Sequence, residues 1–264
     1  MPTPVPRRRK FRLLLLFVIP VIFWGAWFHF AHSSARRLAG PRLVYWAWER
    51  PENLQYLDPK TEGVAFLSAS IELLSDSVHV YPRMQPLFLP PGIQVVAVVR
   101  IYSHPASPAA LNEQQFSETF QTVLNASRLP NVAALQIDFD ARESERAFYS
   151  RLLAELRRQL GPAYPISITA LASWCIGDRW IHSLPVNEAV PMLFSMGPDE
   201  PLIRHYLASV DTFPEPLCRG SLGISTGERW PNPIRSGTRV YVFHQQPWTR
   251  KDVEEIRSRI HRKM

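Results

Sequence analysis

The run Gln136-Ile137-Asp138-Phe139-Asp140 carries the strongest chemical signal in the 264-residue chain. On a β-strand, alternation puts Gln136, Asp138 and Asp140 on one face and Ile137 and Phe139 on the other. Two carboxylates so close are costly to hold charged, so one stays protonated or a cation pairs with them. A pair of acids with separated pKa values is the equipment of general acid–base chemistry, glycosidic bond cleavage included. That reaction needs two carboxyls about 5–5.5 Å apart for retention or about 6.5–9.5 Å for inversion. Asp140-Ala141-Arg142-Glu143 also fits a helix capping box, which gives Asp140 a structural alternative. The alternative for Asp138 is a buried aspartate satisfied by backbone amides and an arginine. Glu49, beside Trp46 and Trp48, is the preferred second carboxyl; its alternative is a surface ion pair with a residue such as Arg50.

Around these acids, Trp46, Trp48, Trp174 and Trp248 stand near the ends of apolar runs, as do Trp180, Tyr45 and Tyr102. Flat apolar rings with a polar handle stack well on the C–H faces of sugars, although any one of them also serves as ordinary core. Gln136, Thr169 and Gln245 are candidate hydrogen-bond partners for substrate hydroxyls. The histidines are scattered and no H-E-x-x-H or C-x-x-C spacing occurs, so neither a metal nor a cofactor is expected. The chain also lacks a P-loop, G-x-G-x-x-G and G-x-S-x-G, which disfavours nucleotide and acyl-enzyme chemistry.

Positioning these residues requires a regular scaffold. Eight short apolar runs are separated by turn residues: Leu43–Trp46, Val64–Leu67, Gln94–Ile101, Ala134–Phe139, Ile166–Leu171, Ala189–Phe194, Leu222–Ile224 and Val240–Phe243. Near-continuous apolar strands suit a parallel sheet covered on both faces. Helical patterns lie between several of them, over Asn112–Ala126, Arg142–Leu160 and Glu200–Ser209, with a last helix capped by Thr249. The alternation predicts an α/β, (β/α)8 TIM-barrel-like domain. Residues 47–62 have only a weak helical signal and residues 68–89 read as extended strands, so the predicted barrel is incomplete or decorated.

The charge is distributed unevenly. The formal net charge is +7, but seven of the 30 Lys and Arg lie in residues 1–40 with no acid, which leaves 23 basic residues to balance 23 acidic ones. A neutral remainder removes the main support for a nucleic-acid partner. Residues 1–12 read as a basic cytoplasmic tail and residues 13–31 as a transmembrane signal anchor about 28 Å long at 1.5 Å per residue. Residues 32–40 form a linker and residues 41–264 the barrel domain. A cleaved signal peptide ending near Ala31-His32-Ser33 is the rival reading, and both place the barrel outside the cytoplasm. Cys175 and Cys218 fall in the exported part, where an oxidising compartment permits either a disulfide or two buried thiols.

The phrase Leu135-Gln136-Ile137-Asp138-Phe139-Asp140, the helix carrying Phe148-Tyr149 and Leu152-Leu153, and the stretch Ser167-Ile168-Thr169-Ala170-Leu171-Ala172-Ser173-Trp174 resemble an uncharacterised bacterial family, domain of unknown function family 3142. Val186 to Gly197 and the opening Tyr45-Trp46-Ala47-Trp48-Glu49-Arg50 are also similar. The resemblance implies an exported or membrane-anchored protein related to TIM-barrel glycoside hydrolases, with no assigned activity. Chitinase-like barrels of glycoside hydrolase family eighteen carry D-x-x-D-x-D-x-E at the end of the fourth strand. Asp138 and Asp140 match its last two aspartates, whereas Leu135 and Arg142 stand at the first aspartate and at the catalytic glutamate, and Glu143 comes one residue late. The expectation is a single-pass protein of the bacterial inner membrane with its barrel in the periplasm, acting on an envelope or extracellular glycan. Its catalytic candidates are Asp138, Asp140 and Glu49. The alternative is a non-catalytic glycan-binding or envelope-assembly module on the same barrel. Protein partners are not legible.

Overall fold

A computed structural model describes residues 40–210, 212–231 and 233–262. The predicted tail and anchor, and the linker up to residue 39, lie outside the described residues. Among the described residues no helix is long and apolar enough to cross a membrane.

Eleven strands form in chain order: β1 (Leu43–Ala47), β2 (Glu52–Asn53), β3 (Glu62–Leu73), β4 (Val78–Pro82), β5 (Leu87–Phe88), β6 (Gln94–Ser103), β7 (Val132–Asp138), β8 (Ile166–Leu171), β9 (Glu188–Met192), β10 (Ser221–Ser225) and β11 (Arg239–Phe243). Eight of them, β1, β3, β6, β7, β8, β9, β10 and β11, pair in parallel in that order. The sheet closes because β1 pairs with both β3 (Leu43↔Glu62) and β11 (Leu43↔Val240). Each predicted apolar run is one stave of this barrel, and the stave ending in Asp138 is the fourth.

Five α-helices accompany the staves: α1 (Glu113–Ala126), α2 (Arg146–Leu160), the short α3 (Ala172–Ile176), α4 (Glu200–Ser209) and α5 (Arg250–His261). Among the described residues no α-helix follows β1, β3 or β10. The second stave instead runs twelve residues, past a bulge between Leu67 and Ala69, and pairs with antiparallel β4 (Ala69↔Pro82). β2 and β5 form a separate two-stranded ribbon. The barrel is therefore closed but decorated, with an incomplete helical ring.

Capping boxes start α1 (Asn112 with Gln115) and α5 (Thr249 with Asp252), as their side chains dictate. The expected capping box at Asp140 does not form. The Arg142 N–H is accepted by Glu145 Oε2 at 2.8 Å, a 3-10 turn spans Glu143–Glu145, and α2 begins only at Arg146. Asp140 is thus released from the cap.

Apolar residues divide into two cores. The outer one lies between the staves and the helices, and includes Tyr149, Leu152, Leu153 and Leu156 of α2. The inner one fills the barrel with Val44, Trp46, Ala65, Leu67, Val96, Val98, Ala134, Val190 and Tyr241. Trp46 fits because β10 carries Gly223, where a Cβ would stand 2.9 Å from the indole Cη2. Beneath Trp46 runs a buried polar chain. Trp46 Nε1 donates to Gln136 Oε1 (2.8 Å), Gln136 Nε2 to Ser167 Oγ (3.2 Å), and Ser167 Oγ to Glu188 Oε1 (3.2 Å). Tyr241 also donates to Glu188 Oε1 (2.7 Å), and Arg239 Nη1 pairs with Glu188 Oε2 (3.1 Å). Satisfaction of every link is what makes such a chain tolerable inside a barrel. On the outside, Cys175 of α3 is disulfide-bonded to Cys218 across 43 residues, with the Cα atoms 5.9 Å apart.

Candidate active site

The site lies at the C-terminal ends of the staves, where loops of a TIM barrel converge. A cavity of about 310 Å3 opens there, within the size range of small-ligand sites. Its aromatic wall comes from two staves, β1 (Trp46) and β11 (Phe243), and from the segments just after β1 (Trp48) and after β9 (Phe194). Phe194 and Phe243 stack in parallel with centroids 5.7 Å apart, Trp48 meets Phe243 edge-on at 6.0 Å, and Trp46 meets Phe194 edge-on at 6.1 Å. Met192, Met196 and Ile203 add further apolar surface.

Opposite stand the acids. Asp138 is the last residue of β7, and the stave register places it beside Arg100 of β6. Thr169 of β8 donates its hydroxyl to Asp138 Oδ1 at 2.7 Å, and Arg100 Nε lies 3.9 Å from Oδ2. Burial raises the Asp138 pKa above the ordinary aspartate value, against the lowering by the Thr169 hydrogen bond and the Arg100 charge. Asp140 lies just beyond the strand end, where Ala141 N–H donates back to Phe139 O at 2.8 Å and bends the chain. Asp140 reaches solvent, yet the crowded mouth and then the Asp138 charge push its pKa up to about 6, with Arg100 opposing. A carboxyl poised there exchanges a proton readily near neutral pH.

Five of the expected residues therefore meet in one cavity: Trp46, Trp48, Asp138, Asp140 and Thr169. The others do not. Glu49 accepts from Ser70 Oγ at 3.0 Å and lines a second, neighbouring cavity, so the preferred Asp138–Glu49 pair does not share a chamber. Gln136 is fully buried and committed to Trp46 and Ser167, one layer below the mouth. Trp174 is buried against Trp180 with centroids 4.9 Å apart, in the outer core. Trp248 is buried against Tyr45 and donates its Nε1–H to Trp46 O at 2.9 Å, bracing the back of the first stave. Gln245 is exposed and outside the cavity lining.

Sequence reasoning passed over Arg100, Phe194, Ser195, Asp199 and Phe243, all of which line the cavity. Arg100 carried a usable signal: it is a cation at the end of five apolar residues in a stave. Ser195 has the left-handed φ of 51°, uncommon for a non-glycine residue, and its N–H points at Glu228 Oε1 and Oε2 (3.0 and 3.2 Å). That contact holds the loop carrying Phe194 and Met196. Arg142, standing where the chitinase-like motif has its glutamate, is tied to Glu145 and Ser103, and Glu143 is exposed outside the cavity lining.

A closed eight-stranded TIM barrel with an acidic, aromatic-walled cavity at its C-terminal mouth defines the class of this protein. Solved structures with likeness to it include a protein described as a "putative Chitinase A" from Streptomyces coelicolor, at 9% identity and a TM-score of 0.48, covering 84% of this chain and 97% of that one. A fungal endo-β-N-acetylglucosaminidase of glycosyl hydrolase family 18 matches at 12% identity and a TM-score of 0.44, covering 84% of this chain and 86% of that one. No family model matches the sequence. No curated protein matches it either.

Proposed function

We propose that the chain is a membrane-anchored, periplasm-facing member of domain of unknown function family 3142 that acts on an envelope or extracellular glycan at the barrel mouth. The observation that carries this reading is the placement of Asp138 and Asp140, both with raised pKa, against an aromatic wall in one cavity. Sugars need both halves: rings to cover their apolar faces, and carboxyls to take hydroxyl hydrogens or move protons. In a hydrolytic cycle Asp140 is the proton donor to the departing oxygen. Asp138, oriented by Thr169, stabilises the positive charge that develops at the sugar carbon until a water adds there and gives its proton to the Asp140 carboxylate. Burial raises the pKa of both acids, and Arg100 moderates the rise.

The exported location rests on the basic tail and apolar segment of the sequence and is supported by the Cys175–Cys218 disulfide, a bond that persists in oxidising compartments. One observation favours the second reading, a glycan-binding module without catalysis: the position of the expected glutamate is filled by Arg142, which faces Glu145 rather than the cavity. To decide between them, the full chain in detergent is incubated with envelope and exopolysaccharide fractions, and new sugar ends are counted by mass spectrometry. Release by wild type and its loss in Asp138→Asn and Asp140→Asn supports the hydrolase. Retention of the glycan without release, abolished by Trp48→Ala, supports the binding module. Absence of both release and retention overturns the glycan reading.

A further inference from the structure

The decoration on the second stave creates a second chamber of about 340 Å3, between the extended end of β3, the β4 segment and the end of β6. Its wall includes Glu49, Ser70, Tyr81, Arg83 and Tyr102. Two links join it to the mouth cavity. Trp48 lines the mouth cavity while the next residue, Glu49, lines the second chamber. Arg100 of the mouth cavity sits 5.6 Å from the ring centroid of Tyr102, which lines the second.

The polar groups of this chamber are committed unequally. Arg83 donates four of its five guanidinium hydrogens to the backbone oxygens of Ala47, Trp48, Arg50 and Gln85, fastening β1 to the decoration. Its charge faces the same chamber as Glu49 and interacts with those of Glu52 and Arg50. Glu49 accepts one hydrogen bond, from Ser70, and among the described residues no ion pair reaches it. The Tyr81 hydroxyl donates to Glu72 Oε2 at 2.9 Å and keeps its own oxygen as an acceptor. The chamber thus offers the Glu49 and Tyr81 oxygens as acceptors, the Gln85 amide and Tyr102 hydroxyl as groups that can also donate, and two aromatic rings, with one charge of each sign. A charged ligand gains little there, whereas a neutral ring rich in hydroxyl donors fits.

Resting on the proposed glycan function, we infer that this chamber is a second sugar subsite. It takes a neutral pyranose unit of the same chain that enters the mouth cavity, and Glu49 accepts its hydroxyl hydrogens. Glu49 is then a specificity residue that makes the protein select oligomers over single sugars, rather than the catalytic partner of Asp138. Hydrogen bonds from hydroxyls to a charged acceptor contribute enough that their loss weakens binding about 10- to 100-fold.

The test is calorimetric titration of the full chain in detergent with N-acetylglucosamine oligomers and β-1,4-linked glucose oligomers of increasing length. The variants are Glu49→Gln, Ser70→Ala and Tyr102→Ala, with thermal unfolding checked for each. The expected result is affinity that rises with length in wild type, and in Glu49→Gln and Tyr102→Ala a loss confined to the longer oligomers. Short oligomers that bind, with a length dependence untouched by these variants, overturn the subsite and leave the mouth reading standing. Binding of no oligomer in either series overturns both.

Discussion

Asp140 gives the sharpest quantitative handle on this site. Its carboxyl is raised from 3.8 to about 6, first by the protein crowded around it at the mouth and second by the charge of Asp138, with Arg100 pulling the other way. At pH 7 a group of pKa 6 is about 10% protonated, whereas one of pKa 3.8 is about 0.06% protonated, so the mouth multiplies the pool of available acid more than about 100-fold. Asp138→Asn removes the second cause and leaves the first, so the Asp140 pKa falls but stays above 3.8. Arg100→Gln removes the opposing charge, so it rises beyond 6. Carbon-detected NMR titration of the aspartate carboxyls reads all three values directly. The same shift sets a stability trend. Between pH 3.8 and 6 the folded chain keeps a proton that the unfolded chain has released, so stability falls as pH rises through that window and stays lower above it. Asp140→Asn abolishes this loss: the variant melts higher than wild type above pH 6 and gains nothing below pH 3.8. An Asp140 that titrates near 4 in wild type, or whose pKa rises in Asp138→Asn, refutes the reasoning.

Three further outcomes follow from the packing. Gly223→Val puts a side chain into space held by Trp46 and is expected to cost about 1–3 kcal/mol in urea unfolding while reshaping the cavity floor. Glu188→Ala leaves Arg239 without its carboxylate inside the barrel and strips partners from Tyr241 and Ser167, an expected loss of about 3–5 kcal/mol by the same measurement. Reduction of Cys175–Cys218, or Cys175→Ser, reopens a loop of 43 residues, which in the chain-entropy model costs about 4 kcal/mol and appears as a lower Tm in reductant.

The barrel was legible because each stave is a local object. A run such as Ala134–Phe139, bounded by turn residues, announces itself without knowledge of its neighbours, and Asn112 and Thr249 mark helix starts within one residue. β3 extends past its apolar run because Ser68 and Ser70, polar by type, are both buried. The site was legible only in one dimension. Alternation told which way Gln136 and Asp138 face, but not how deep each stands. Both project inward, yet Gln136 is sealed beneath Trp46 while Asp138 reaches the mouth. The pairing of Arg100 with Asp138, and the approach of Phe194 to Phe243, depend on stave register, which links residues far apart in sequence. Trp174 and Trp248 lie in the outer core and not at the mouth for a similar reason: nearness to a strand end does not say whether an indole turns into the mouth or outward onto a helix.

Depth also separates structure from chemistry among the polar residues of the barrel. The lower group, Gln136, Ser167, Glu188, Arg239 and Tyr241, is closed on itself: its acid has a guanidinium, and its amide has a donor and an acceptor. The upper group is left open. Asp138 has one hydroxyl and a guanidinium at 3.9 Å, and Asp140, relieved of its cap by the Arg142–Glu145 turn, is destabilised as an anion first by the crowded mouth and then by the Asp138 charge. A fold able to satisfy a glutamate at the bottom of the barrel has the means to satisfy an aspartate at the top. Strain of this kind gathers where a ligand completes the set, because hydroxyls brought by a substrate supply the hydrogen bonds the protein withholds. The unequal treatment of two acid clusters in one barrel is therefore a stronger argument for function at the mouth than the presence of either aspartate alone.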